Sequence, residues 1–220
     1  MRGGPCGTEG TGSGAAPVVV SWEDAPGTIA SLIAVRPGGP LVIGVGGPVG
    51  AGKSALAARI GGCVLATDDY LPDYDLVAYD QRDLPESADF DRLSRDLASL
   101  RAGRPTRVPV WSFRTHRREG EREVVPPDAG RGVIIVEGIH ALHRRVRRVL
   151  DLAVFVAAGR DVRWERWAHL ERTGARGWGE AVAREYFERV AEPTFAAFHA
   201  EYLASAHVVV RNETGRPGVG

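Results

Sequence analysis

Lysine is nearly missing from this chain: of its 28 lysine and arginine residues, only Lys53 is a lysine. A guanine-reading Asn-Lys-x-Asp element would need a second one, which argues against a GTP-driven switch. Cysteine is almost as scarce. Cys6 and Cys63 make neither a metal-binding set nor a disulfide framework, and Cys63 reads as a small apolar residue entering a strand. An excess of one charge is absent too, since 28 acidic residues balance the 28 basic ones. No overall field then draws nucleic acid or a membrane surface, and neither is expected as a partner. The arginine clusters at 114–122 and 143–148 read as solvated faces or anion-contacting loops. No stretch approaches the roughly 18 apolar residues of a membrane span. No apolar signal-type segment stands at the N-terminus, so a cytoplasmic location is expected.

What is present centres on that one lysine. Gly47-Pro48-Val49-Gly50-Ala51-Gly52-Lys53-Ser54 fits G-x-x-x-x-G-K-[ST], the phosphate-cradling loop of nucleoside-triphosphate-binding proteins. Its glycines allow backbone conformations that aim successive N–H groups at one anion. The following helix presents its positive N-terminal end to the same phosphates. Ser54 would place a hydroxyl on the Mg²⁺ that accompanies the nucleotide. The context agrees. Leu41 to Val45 is an apolar run suited to a buried parallel strand, and Ala55 to Ile60 consists mostly of good helix formers. Nucleotide binding, with ATP and Mg²⁺ as the ligands, is the expectation.

With 220 residues, one domain with a sizeable core and a small appendage is expected. Residues 1–17 and 214–220 read as loose ends, and 18–213 as a single domain with a lid at about 161–180. Further strands are predicted at 63–67, 133–136, 152–156 and 208–210. Helices are predicted at 89–100, 161–172 and 180–202, the last bent or interrupted by Pro193. Strands alternating with helices give an α/β fold of the P-loop NTPase type, a parallel sheet covered on both faces. Sequence alone leaves the number of copies open, a homo-oligomer included.

Ligands of such sheets gather at the carboxyl ends of the strands. Asp68 and Asp69 end one strand and Glu137 another. Glu137 is placed to hold Mg²⁺ directly or through water, with Ser54 and Asp68 as the other candidate metal contacts. Asp68 is placed to take a proton from an attacking hydroxyl. Either Glu137 or Asp68 could instead cap the next helix, and Asp69 could exchange roles with Asp68.

Several blocks then resemble one family. Gly47 to Ser54, Ala66-Thr67-Asp68-Asp69-Tyr70, Asp83-Leu84-Pro85 with Asp89-Phe90-Asp91, Val108 to Arg118, and Val136-Glu137-Gly138-Ile139 look like successive blocks of the uridine–cytidine kinases. The wider group contains phosphoribulokinase and bacterial pantothenate kinase. The resemblance implies Asp68 as general base toward a ribose 5′-hydroxyl and Asp83 as the acceptor of hydrogen bonds from the ribose diol. It implies Trp111, where the family has tyrosine, and Phe113 as aromatic walls. His116 would then read a pyrimidine edge with Arg118 beside it. Lys53 together with lid arginines, Arg166 and Arg172 foremost and Arg176 available, would meet the phosphates. Departures fall where the acceptor and lid are read: Leu71 replaces a tyrosine, Arg82 a pocket aromatic, and Trp164, Trp167 and Trp178 are unusual. The expected activity is ATP-dependent phosphorylation of uridine or cytidine. The alternatives are a related kinase for another alcohol and a non-catalytic nucleotide-binding protein.

Overall fold

The structure, a computed structural model, describes residues 16–36, 38–127 and 132–214. Most of both loose ends, 1–15 and 215–220, therefore lies outside the described residues. In chain order the elements are β1 (Val18–Ser21), α1 (Ala25–Ala34), β2 (Leu41–Gly46), α2 (Lys53–Ile60), β3 (Cys63–Ala66), α3 (Phe90–Arg101), β4 (Thr106–Ser112) and β5 (Arg117–Val124). They continue with β6 (Val133–Gly138), α4 (Arg144–Arg147), β7 (Leu152–Ala157), α5 (Arg160–Arg172), α6 (Glu180–Tyr186), α7 (Glu192–Ser205) and β8 (Val208–Arg211).

Six strands form a parallel sheet in the order β1-β8-β7-β2-β6-β3. Its central strands read as unbroken apolar runs because both faces are covered. Val42, Leu65, Ile134, Val136 and Phe155 pack on one side with Phe90, Leu93 and Leu97 of α3 and with Phe195 and Tyr202 of α7. Their sequence neighbours Ile43, Ile135, Val154 and Val156 face the other side, against Ala25 and Ile29 of α1 and Leu56 of α2. This is the period-two alternation of a strand applied to a two-sided core. In α3, Phe90, Leu93, Leu97 and Leu100 all point inward at helical spacing. The Asp89 carboxylate accepts the Arg92 N–H at its start (2.9 Å), one N-cap bond that satisfies an otherwise orphaned donor.

Three features differ from the sequence expectations. β1 and α1 precede the strand taken as first; β1 is only four residues long and mostly exposed, so its apolar pattern is too short to announce it. The stretch 106–124 leaves the main sheet as the antiparallel hairpin β4–β5, with a register shift between Val110 and Trp111. The helix predicted over 180–202 runs as α6, a π-helical segment Phe187–Ala191, and α7. Pro193 has no N–H to donate back into the preceding turn, and the wide turn ahead of it absorbs the missing bond.

Candidate active site

The phosphate loop follows from the end of β2. Gly50 and Gly52 have φ of 74° and 100°, a left-handed region that favours glycine. Any side chain there would also run into the Arg163 carbonyl or the Asn212 amide. The loop is braced from behind. Asn212 Nδ2 donates to the Ala51 carbonyl (2.8 Å), and Arg166 donates to the carbonyls of Gly50 (2.9 Å), Ala51 (3.2 Å) and Thr214 (2.7 Å). Lys53, 8% exposed, donates from Nζ to the Pro48 carbonyl (2.9 Å). Burial lowers its pKa, against the pull of Glu137 and Asp68.

Sheet register sets the carboxylates beside this loop. Glu137 of β6 pairs with Val45 of β2 on one side and Ala66 of β3 on the other. Glu137 therefore lies between the strand that launches the loop and the strand that ends at Asp68. Ser54 donates its hydroxyl to Glu137 Oε1 (3.0 Å). Burial raises the Glu137 carboxyl to about 7, with Lys53 opposing the rise and Asp68 adding to it. Asp68 is also raised, chiefly by burial, while Lys53 and Arg176 pull it back. The adjacent aspartates do different things. Asp69 accepts the Trp111 N–H (3.2 Å) and an Arg122 guanidinium bond (3.4 Å), so it fastens the hairpin to the end of β3. Asp68 is the carboxylate left to face Lys53 across the cavity.

A cavity of about 290 Å³ joins both halves of the site. Gly50, Gly52, Lys53, Ser54, Asp68 and Glu137 line one end; Asp83, Trp111, Phe113 and His116 line the other. Asp83 sits in an irregular stretch of short 3₁₀ turns between β3 and α3. Its Oδ1 accepts the hydroxyls of Tyr186 (2.7 Å) and Tyr74 (3.4 Å). Oδ2 takes no hydrogen bond among the described residues. Burial raises the Asp83 carboxyl to about 6, and the Tyr186 bond moderates the rise. His116, at the hairpin tip with φ of 55°, is stacked on Trp178 at 4.2 Å and 8°. Burial lowers its imidazole to about 4, so the ring is neutral at physiological pH.

The segment between α5 and α6 closes over this end. Gly177 N–H donates to the Phe113 carbonyl (3.1 Å). Glu171, 7% exposed, accepts from Trp167 Nε1 (2.9 Å) and from the N–H groups of Trp178 (3.1 Å) and Gly179 (3.0 Å). Buried carboxylates persist where donors satisfy them, and this one ties α5 to the turn carrying Trp178. Arg176 lies over the rings of Phe113 (4.2 Å) and Trp167 (4.9 Å), lines the cavity, and makes no ion pair among the described residues.

Not every sequence candidate reaches the cavity. Arg118 donates to the carbonyls of Leu71 (2.8 Å) and Tyr70 (3.0 Å), holding the chain after Asp68 rather than facing a ligand. Arg172 points outward in an exposed pair with Glu180 (3.0 Å), because the last turn of α5 turns that position toward solvent. Arg166 lines the cavity, yet its donors are taken by loop and C-terminal carbonyls. Leu71 lines the cavity, whereas Arg82 stacks over Tyr74 and Tyr79. Sequence reasoning passed over Tyr74, Tyr186 and Glu171. Tyr186 is defined by Asp83, which lies 103 residues earlier, whereas Tyr74 and Glu171 find partners nearby through irregular turns that no periodicity predicts.

The model of the Phosphoribulokinase / Uridine kinase family matches residues 77–215, more than half of the chain. A uridine kinase of Deinococcus deserti is 34% identical over 165 residues, covering 69% of this chain and 78% of that protein. Uridine-cytidine kinase C of Dictyostelium discoideum is 32% identical over 127 residues, 56% of this chain. The inorganic pyrophosphatase TTM2 of Arabidopsis thaliana is 30% identical over 190 residues, 83% of this chain. Both are much longer, and the matched part is 28% and 27% of their lengths. Among solved structures, a possible uridine kinase from Bacillus stearothermophilus superposes with a TM-score of 0.63 at 18% identity, covering 86% of this chain and 98% of that one. The D-glycerate 3-kinase of Cryptococcus neoformans gives 0.63 at 17% identity, covering 90% and 97%. These likenesses establish the fold, and the family match with the Deinococcus relative establishes more: the chain belongs to the phosphoribulokinase / uridine kinase family.

Proposed function

We propose that this chain transfers the γ-phosphoryl group of ATP to the 5′-hydroxyl of uridine or cytidine. The observation that carries the reading is the single cavity in which the phosphate loop and Asp68 meet Asp83 and an aromatic wall. Lys53 and the loop N–H groups hold the donor phosphates. Asp68 takes the proton of the acceptor hydroxyl, the hydroxyl oxygen bonds to the γ-phosphorus, and the bond to the β–γ bridging oxygen breaks, releasing ADP. The Ser54 hydroxyl and Glu137 carboxylate, 3.0 Å apart, form an oxygen-only pair that suits Mg²⁺, which keeps several waters and needs few protein ligands. Those two residues, with Asp68 near them, would hold the ion, which supplies positive charge to the donor phosphates. Positioning and electrostatics do most of the work in such a site.

Arg176 is the lid arginine suited to the developing phosphate charge, in place of Arg166 and Arg172. Among the described residues it is the one of the three that lines the cavity without a hydrogen bond or ion pair to a carbonyl or carboxylate. Arg176→Met lowers kcat by about a hundredfold or more, within the range known for arginines that neutralise transition-state charge. Arg172→Met leaves turnover within about twofold, as expected of an exposed pair. Steady-state ADP release measures both, and equal losses would reject this assignment.

Asp83 recognises the diol. Two tyrosine hydroxyls hold its Oδ1 and leave Oδ2 to the substrate. Asp83→Ala narrows the preference for uridine over 2′-deoxyuridine by about ten- to a hundredfold, the cost of one missing buried partner. An acceptor screen by ADP release, run on wild type and variant, checks this. An unchanged ribose preference, or no turnover of either pyrimidine nucleoside, removes the nucleoside reading.

A second reading is favoured by one observation. Trp178 lies flat on His116 and covers a ring face that a pyrimidine would otherwise share. A related kinase acting on a smaller alcohol would use Asp68 and Asp83 in the same way, and the same screen separates the two.

A further inference from the structure

His140 stands three residues beyond Glu137, outside the roles assigned above. It is 4% exposed, and Tyr202 of α7 is fully buried. His140 Nε2 lies 2.5 Å from the backbone carbonyl of Asp83, and Nδ1 lies 2.7 Å from the Tyr202 hydroxyl. A carbonyl oxygen only accepts, so Nε2 carries the proton. Burial drives this imidazole to about 4, so the ring is neutral and Nδ1 has a lone pair. Tyr202 must therefore donate. The hydrogen bonds run one way, from the Tyr202 O–H to His140 Nδ1 and from His140 Nε2–H to the Asp83 carbonyl.

The arrangement matters because of where Asp83 sits. No strand or α-helix fixes its backbone, which lies among short 3₁₀ turns. Its carboxylate is tethered at Oδ1 by Tyr186 and Tyr74, and its carbonyl by His140. Backbone and side chain of this cavity-lining residue are thus held independently, with Oδ2 taking no hydrogen bond among the described residues. Because β6 supplies both Glu137 and, just beyond its end, His140, one strand sets the donor side and the acceptor side together.

We propose that His140, with its tautomer set by Tyr202, is a positioning residue that fixes the acceptor-binding carboxylate of Asp83. This rests on the reading of Asp83 as the acceptor-binding group. The pair touches no substrate and acts through the Asp83 backbone.

The test uses the full chain with His140→Leu, His140→Gln and Tyr202→Phe. Wild type and variants are assayed with ATP and Mg²⁺ against uridine and 2′-deoxyuridine, and binding of a fluorescent ATP analogue is measured separately. We expect His140→Leu to raise the uridine KM about tenfold or more, to narrow the ribose preference, and to leave nucleotide affinity within about twofold. His140→Gln, which can return a donor near the Nε2 position, restores most of the loss. Should the leucine variant fail to fold, the glutamine and phenylalanine variants carry the comparison. Nitrogen-15 spectra of the imidazoles at pH 8 give a readout independent of turnover: His140 is in the Nε2–H form in wild type and becomes mixed in Tyr202→Phe. An Nδ1–H form, an unchanged uridine KM in His140→Leu, or equal losses of nucleotide and acceptor binding would overturn the proposal. If wild type turns over neither uridine nor cytidine, the nucleoside reading falls, while the spectra still decide whether His140 is held as described.

Discussion

Lys53→Ala abolishes phosphoryl transfer while the protein stays folded. The ammonium is buried at the start of α2, beside Glu137 and Asp68, whose charges act on it more than any others. Without it, two carboxylates already raised by burial lose their nearest balancing cation, and the donor phosphates would meet net negative charge. The fold depends on it little. Among the described residues its one side-chain hydrogen bond goes to the Pro48 carbonyl, and burial disfavours its charged form, so removing it relieves a desolvation cost. Lys53→Arg rescues poorly, because a planar guanidinium does not replace a compact point charge. ADP-release kinetics and a thermal melt check both halves. Wild-type turnover in Lys53→Ala would mean that this loop is not the donor site.

Asp68→Asn lowers kcat by about a hundredfold or more, the usual contribution of a positioned general base. Affinity for ATP without acceptor changes much less. Asp69→Asn behaves differently. Asp69 is bonded to the Trp111 N–H and to Arg122, so its loss loosens the junction of β3 with the hairpin and shows as lower thermal stability with a modest change in rate. Single-turnover rates and melting curves of the two variants separate these outcomes. A large rate loss in Asp69→Asn with Asp68→Asn near wild type would exchange the roles.

The donor half of the site was legible in the sequence because its signals are local. A glycine loop between an apolar run and a helix needs no distant partner to be recognised, and Glu137 is marked by its place at the end of the strongest strand pattern. The sheet was legible for the same reason, each buried strand being a short run of Val, Ile and Leu. The acceptor half was read through resemblance, and the cavity does gather Asp83, Trp111, Phe113 and His116. Lid arginines were not legible. Arg166, Arg172 and Arg176 have the same chemistry in sequence, and only the path of the chain turns one toward the loop, one to solvent and one into the cavity. Tyr186 was hidden likewise, because nothing along α6 signals a partner as far back as Asp83, and Glu171 because its donors come from α5 itself and from the irregular stretch that follows it. The separate β4–β5 sheet was missed because β5 is charged or glycine, and exposed, at every position but Val124, so it carries no apolar pattern.

The crowding of indoles around the acceptor end has a practical consequence. Trp111, Trp167 and Trp178 line the cavity, while Trp164 packs on Phe187 and Trp22 lies behind the phosphate loop near Gly52. Anything that enters changes the polarity and contacts of three of the five tryptophans at once. The chain therefore carries a built-in optical reporter of occupancy, and its own ultraviolet emission can follow acceptor binding without a label and before any phosphate has moved.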